Sequence, residues 1–484
     1  MALTVDEQLA LTASEAVAAI HTGRMTALDY TSTLLARAEA LANLNALTSL
    51  EADQALAAAR RIDALSVEER ARLPLAGLPI VVKANINVAG MRTCAGTPSL
   101  AQFVVRTSAP SVRKLVDAGA IVLGKANMHE LAVGITSTNL SPHARPVRNP
   151  YDRTRIPGGS SGGTAAAIAA RIVPAGLGTD TGGSVRIPAA LTGIAGLRPS
   201  VGNGGAERRY HDPQAVVPIS RTRDTVGPMA RTVSDVALLD RAITDGLPLA
   251  AVRLPGLRIG LPAPLWHGLD HELETVLRTA VDRLADAGVE FVEVALPDLL
   301  PLASDISLPI AFHEASEDVP AWLDANGAPV RTIAQVLADV ASPDVQRIYE
   351  AVAAKTFGAQ YDEALTQGRP ALQRLYADTF AAQRIDALLF PTTPLPAVPI
   401  DEANGSSTVS IAGGEPLDEM AAYLRHTDPG SIAGIPGLSL PAGVTRTGLP
   451  LGLELDGPLG SDRRLLAIGV AFETVLGALP APTL

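Results

Sequence analysis

The chain has 484 residues, 47% hydrophobic and 3% aromatic, enough for a large core packed chiefly by alanine, leucine and valine. Its formal net charge is −11 with no Lys- or Arg-rich block, which argues against a nucleic-acid partner, since phosphate neutralisation needs a basic face. A single cysteine, Cys94, excludes an internal disulfide.

The first basic residue is Arg24, behind Asp6, Glu7 and Glu15, the wrong charge order for a secretory leader. No uninterrupted apolar stretch reaches spanning length, so the expectation is a cytoplasmic protein without a membrane partner. Residues from about Thr12 to Leu65 read helical. Ser14 is a cap for a first helix with Val17, Ala18 and Ile20 inward, followed by helices over Leu28–Leu41 and Ala52–Ile62. From Leu75 short β-branched runs (Pro79–Val82, Ile121–Leu123) alternate with helical stretches such as Ser111–Ala118. Thr164–Ala170 reads as a small, buried helix. A further unit starts at Arg253–Gly260, with a helix from Glu272 to Gly288 and a strand at Phe291–Val294. Asp298–Gln383 is mostly helical, strands return in DALLFPTTP and GLPLGLELDG, and Asp462–Leu476 makes a last amphipathic helix. Pro396–Glu415, rich in Gly, Ser and Asn, reads as a mobile loop. This alternation predicts an α/β fold, a large sheet covered by helices on both faces.

Chemistry concentrates between Pro157 and Arg186, PGGSSGGTAAAIAARIVPAGLGTDTGGSVR. Two glycine-flanked serines, Ser160 and Ser184, are joined by an Ala-rich segment, unlike any flexible linker. Glycine beside a hydroxyl lets backbone N–H groups approach a reacting atom. The chain also carries only four lysines, Lys83, Lys114, Lys125 and Lys355, against 35 arginines. Only lysine can lose its proton at workable pH, and Lys83 closes the apolar run Leu78–Val82. Alone it would read as a strand-end lysine reaching for solvent. Beside two serine turns it reads as a base, in a region with no histidine within either serine motif. Its reference pKa of ~10.4 must fall to near neutrality, about 4 kcal/mol of preference for the neutral form, and burial has that sign.

The order of proton transfer follows: Lys83 accepts from Ser160, and Ser160 accepts from Ser184. Ser184 is the better nucleophile because Thr181, Gly182 and Gly183 precede it and can present N–H groups to an oxyanion. Asp180 and Arg186 flank this turn as a supporting ion pair. Other motifs read as structural. Gly176-x-Gly178-x-x-x-Gly182 misses the dinucleotide spacing, and Cys94 has no local histidine. His267 and His271 have metal-like spacing but bracket Gly268, so they read as loop histidines. Lys125 holds carbonyls near Asn127. Arg208 and Arg209 beside Tyr210 face an acid or, more commonly, water. No metal or cofactor is expected.

The ordered set GLPIVVKANINVAG, AGAIVLGKANMHELA, VRNPYD, PGGSSGG, GTDTGGSVRIPA, GLRPS and DALLFPTTP resembles the amidase signature family, serine hydrolases with a Ser-Ser-Lys triad. The likeness is dense from about Leu75 to Gly202 and weaker as far as PGSIAGIPGLSLPAG. It implies a large mixed sheet and one domain over 1–484, with an N-terminal helical segment (1–70), a signature core (75–202) and a helical section shaping the pocket (298–385). By position it implies Ser184 as nucleophile, Ser160 as bridging serine after a cis peptide bond, and Lys83 as base. It also implies an oxyanion hole from the amides of Thr181–Ser184, and an acyl pocket lined by Ala132, Val133 and Gly134. One departure is Ala84, where the family commonly has Asp after the lysine. The implied activity is hydrolysis of a small aryl or alkyl amide, as in aryl and mandelamide-type amidases, with aryl esters and carbamates as extensions. Alternatives are a urethanase, a non-catalytic binding protein, or an amidotransferase subunit. The last is disfavoured because QRIYEAVAAKTFGAQYDEAL lacks the GFG-x-EVKRR-like segment of such subunits.

Overall fold

The computed structural model describes residues 3–212 and 214–484. Its strands, in chain order, are β1 (Leu47–Leu50), β2 (Pro79–Lys83), β3 (Ile121–Ala126), β4 (Ala175–Asp180), β5 (Ala195–Arg198), β6 (Thr225–Ala230), β7 (Arg258–Pro262), β8 (Glu290–Val294), β9 (Ala387–Pro391), β10 (Thr408–Val409), β11 (Leu417–Asp418), β12 (Gly437–Val444) and β13 (Pro450–Asp456). Among the described residues eleven of them form one sheet in the order β1-β3-β2-β4-β6-β5-β12-β13-β9-β7-β8, and β10 pairs with β11 apart from it. The sheet is mixed. β2 runs parallel to both β3 and β4, β7 runs parallel to β8 and β9, and the remaining pairs are antiparallel. Helices cover it, which is the α/β architecture that the alternation of elements predicts.

The half of the sheet that carries the serine motifs is dry: β3, β2, β4 and β6, consecutive in the sheet, are buried along their whole lengths. Strands buried on both faces read as continuous apolar runs rather than alternating ones, and β2 (PIVVK) reads that way. The helix Gly162–Ala169 is buried at all eight positions, and its small side chains let it lie directly against β2, β4 and β6. Gly163 shows how close this packing is, since a Cβ there would run into the carbonyl oxygens of Asn127 and Ala46. The start of this helix, two residues after Ser160, is therefore held against the end of β3 and the residue before β1.

Several local expectations shift. The second helix, Ala13–His21, is capped by Thr12 rather than Ser14, with Glu15 completing a capping box, and Ala18 faces solvent. The N–H groups of Ala13 and Ser14 donate to the Asp235 carboxylate, a partner far along the chain. The run RLPGLRIG yields a strand only from Arg258. The section after Asp298 is dominated by a helix over Leu299–Asn326 that contains Pro309 and Pro320. The stretch expected to be mobile carries β10, and its Gly405 carbonyl accepts from the Thr136 hydroxyl at 2.9 Å. His271 is the first residue of the helix His271–Asp286, not part of a loop. Among the described residues no helix is long and apolar enough to cross a membrane.

Candidate active site

Parallel pairing of β2 with β4 brings the end of one strand beside the end of the other, and so Lys83 meets Thr179. The Lys83 Nζ lies 2.7 Å from Ser160 Oγ and 2.7 Å from Thr179 Oγ1, and it is fully buried. Asn85 Nδ2 donates to the same Thr179 hydroxyl at 3.1 Å. Burial pushes the Lys83 amine down to about 7, against a smaller opposing pull from the carboxylates of Asp180 and Asp224. A lysine in this setting spends much of its time uncharged near neutrality, with a lone pair available to a hydroxyl.

The two serine turns are stitched together. The Ser161 N–H donates to the Ser184 carbonyl at 3.1 Å, and the Ser161 hydroxyl donates to the Thr179 carbonyl at 3.1 Å. The Gly159–Ser160 peptide is cis. Ser160 is fully buried, whereas Ser184, just before the helix Arg186–Thr192, keeps 7% of its surface open. The turn preceding it is held from both sides. The Thr427 hydroxyl donates to the Gly182 carbonyl at 2.5 Å, and the Thr181 hydroxyl donates to Asp224 Oδ1 at 2.6 Å. The backbone N–H groups of Gly182, Gly183 and Ser184 have no acceptor among the described residues, so they remain as free donors beside the open serine.

Beneath the turn lies a buried charge network. Arg186 donates to Asp180 from Nε at 3.1 Å and from Nη2 at 3.0 Å, and Arg198 Nη1 adds a contact at 3.2 Å. Asp180 also accepts the Val185 N–H at 3.1 Å, tying the carboxylate to the backbone just after Ser184. Burial alone would raise the Asp180 carboxyl, but the two guanidiniums hold it well below the usual carboxylate range. Arg186 reaches Glu454 as well, on β13, and Ser431 Oγ at 2.5 Å. Burial raises both Glu454 and its neighbour Asp456. A fully hydrogen-bonded ion pair in this position fixes geometry, and removing one partner leaves a charge buried alone.

Other residues singled out from the sequence fall as follows. Leu131 and Ala132 have positive φ, Val133 and Gly134 are half-buried, and Leu131 belongs to an apolar cluster with Ala315, Val319, Trp322 and Tyr349 of the helical section. A cavity of about 280 Å³ is lined by residues between Arg208 and Val226 and between Asp318 and Ala325. Lys83, Ser160 and Ser184 do not line it; it adjoins their surroundings through Asp224, which accepts from Thr181, and through Thr225 and Val226, which pair with Asp180 and Thr179. Arg208 lines this cavity, with its guanidinium donating to the carbonyls of Gly204, Arg221 and Asp224, and Arg209 grips Asp240 in a two-pronged contact. Lys125 holds a backbone carbonyl, that of Ile86. Cys94 is buried against Ala84, Met128 and Ala132. Among the described residues no group of His, Cys, Asp and Glu is arranged to hold a metal. The residues that sequence reasoning missed are Thr179, Asn85, Asp224, Thr427 and Arg198. Thr179 alone had a local signal, one step before Asp180 on a strand where alternate residues face opposite ways.

A family model described as Amidase matches residues 29–466. The chain therefore belongs to the amidase signature family, hydrolases of non-peptide carbon–nitrogen bonds. Among its relatives, an indoleacetamide hydrolase from Agrobacterium vitis is 41% identical over 454 residues, covering 93% of each chain. A mandelamide hydrolase from Pseudomonas putida is 38% identical over 488 residues, covering 98% of this chain and 93% of that one. The native peptide amidase from Stenotrophomonas maltophilia superimposes with a TM-score of 0.81 at 30% identity, covering 98% of both chains.

Proposed function

We propose that this amidase cleaves a small aryl or alkyl amide through an acyl-enzyme on Ser184, with Ser160 and Lys83 as its proton relay. The observation that carries the reading is the 2.7 Å contact between a fully buried lysine amine and the hydroxyl of the other serine. Neutral Lys83 takes the Ser160 proton as Ser160 takes that of Ser184, and Ser184 Oγ bonds to the amide carbon. The charge that develops on the carbonyl oxygen is met by the free N–H groups of the Thr181–Ser184 turn. Collapse of the tetrahedral intermediate breaks the C–N bond while the relay returns its proton to the departing nitrogen. Water then repeats the sequence on the acyl-enzyme and releases the acid.

The substrate reading rests on the kinship with hydrolases of indoleacetamide and mandelamide, both aryl-bearing primary amides, and on the apolar surroundings of Leu131 and Val133. Aryl esters and carbamates extend the same chemistry. Esters should react faster, because an alkoxide leaves with less need of protonation than an amine. The test joins a fluorophosphonate label with a Ser184→Ala variant. The label should map to Ser184, and the variant should lose ~10⁴–10⁶-fold in kcat while keeping the wild-type melting temperature. Appreciable turnover by Ser184→Ala would refute the nucleophile. A panel of amides, aryl esters and carbamates ranked by kcat/KM then sets the substrate class.

A further inference from the structure

His129 precedes Glu130 in the run His129–Ser137, HELAVGITS, and is fully buried. Its ring Nδ1 lies 3.1 Å from the backbone nitrogen of Ser137. A backbone N–H can only donate, so Nδ1 is an acceptor, the ring is neutral and its proton sits on Nε2. That Nε2–H points to Asp344 Oδ2 at 3.0 Å, on the helix Pro343–Ala353 of the helical section. Asp344 has no other hydrogen bond among the described residues, and its second oxygen is buried without a partner. It is not the helix cap, a place held by Ser342. Its carboxylate packs against Gly405, and its one hydrogen bond is to the histidine.

The other end of this arrangement is Ser160. The backbone N–H of His129 donates to the Ser160 carbonyl at 3.1 Å. The Ser137 hydroxyl lies 3.4 Å from the same carbonyl and accepts the Gly162 N–H at 3.1 Å. So His129 grips Ser160 twice, once directly and once through Ser137, whose position its ring sets. Gly134 makes room for the ring: a Cβ there would overlap it. Glu130 secures the same helix start from the other side, accepting the N–H groups of Ala341 and Ser342.

We infer that His129, oriented by Asp344, is a positioning residue for Ser160, so that docking of the helical section sets the geometry of the relay. This rests on the reading of Ser160 and Ser184 given above. The test uses the full chain, a primary arylacetamide as substrate, and the fluorophosphonate label as an independent readout. A small misplacement of a relay atom costs up to ~10²-fold. His129→Leu should lose about that much in kcat with KM within about twofold, and its labelling rate should fall in parallel. His129→Asn keeps an acceptor for the Ser137 N–H and should recover most of the loss. Asp344→Ala should lose about tenfold in kcat, and Asp344→Asn, whose amide oxygen still accepts from Nε2–H, should restore most of it. The Asp344 pair decides the matter even if His129→Leu does not fold. The inference is overturned if Asp344→Ala keeps wild-type kcat, if Asn and Ala at position 344 are equally impaired, or if KM rises while kcat stands. A label that lands away from Ser184 in the wild type overturns the acyl-enzyme reading itself, whereas a Ser184 label with unaffected Asp344 variants overturns this inference alone.

Discussion

Two lysines lie on neighbouring strands near one edge of the sheet, and they differ in what they touch. Lys83 ends β2 and Lys125 sits in the neighbouring β3, where Val82 pairs with Lys125 and Lys83 with Ala126. Both are fully buried, and burial pushes both amines down to about 7. Lys83 faces the hydroxyls of Ser160 and Thr179, whereas Lys125 faces the carbonyl of Ile86. A carbonyl oxygen accepts and has no proton to give, but a hydroxyl does both. The same desolvation that makes each lysine a potential base thus offers a proton to only one of them. A lowered pKa describes the cost of a buried charge; the partner decides whether it becomes chemistry.

The contrast is broken most sharply at position 83. Lys83→Arg keeps the charge but cannot deprotonate, and general-base catalysis contributes ~10²–10⁴-fold, so kcat should fall by at least the upper part of that range. Steady-state kinetics on a small aryl amide would check this. An arginine variant with more than a tenth of wild-type kcat would return Lys83 to the same structural class as Lys125. The next largest effect is pH. Below about 7 the Lys83 amine is protonated and its lone pair is lost. On an acid limb controlled by one base, kcat/KM approaches a tenfold fall per pH unit, roughly 50-fold between pH 7 and 5 for a base that is half protonated at 7. A profile flat across that range would show that the reactive form does not depend on a neutral amine there.

What was legible in the sequence follows the reach of each interaction. Lys83, Ser160 and Ser184 stand out because glycine-flanked hydroxyls and a lone lysine after PIVV are local patterns. The final helix was readable residue for residue, Asp462–Leu476, because its apolar positions keep a helical period. The clamps on the turn before Ser184 were not readable. Thr427 reaches Gly182 across 245 positions and Glu454 reaches Arg186 across 268, and no local pattern marks such pairs. Short strands such as β1 and β5, four residues each, carry too few alternations to register. The helical character of this section was readable, but the prolines at 309 and 320 masked the unbroken run Leu299–Asn326, because interior proline ordinarily ends a helix. The Thr12–Glu15 spacing is itself a capping-box signal, and in the structure it prevails over Ser14 as the helix start.

The smallest effect is the one that tests the contrast from the other side. Lys125→Met replaces a buried amine by an apolar side chain of similar length and leaves the Ile86 carbonyl without its donor, a loss of about 1–3 kcal/mol. The Ile86 N–H donates to the Lys83 carbonyl at 2.9 Å, so the variant loosens the turn after Lys83 without touching its amine. Activity should stay within about threefold of wild type, and the acid limb should not move. The stability change has a sign of its own. Burial lowers the proton affinity of Lys125 in the folded chain, so between about pH 7 and the ordinary lysine value near ~10.4 the unfolded chain holds more protons. This residue therefore adds stability as pH rises through that window, and the addition fades as pH falls back toward 7. Melting curves of Lys125→Met across that window should show a shallower rise with pH than the wild type. A variant as inactive as Lys83→Arg, or one whose acid limb shifts with the loss of this amine, would mean that the two lysines act as one unit and that the hydroxyl partners alone do not separate them.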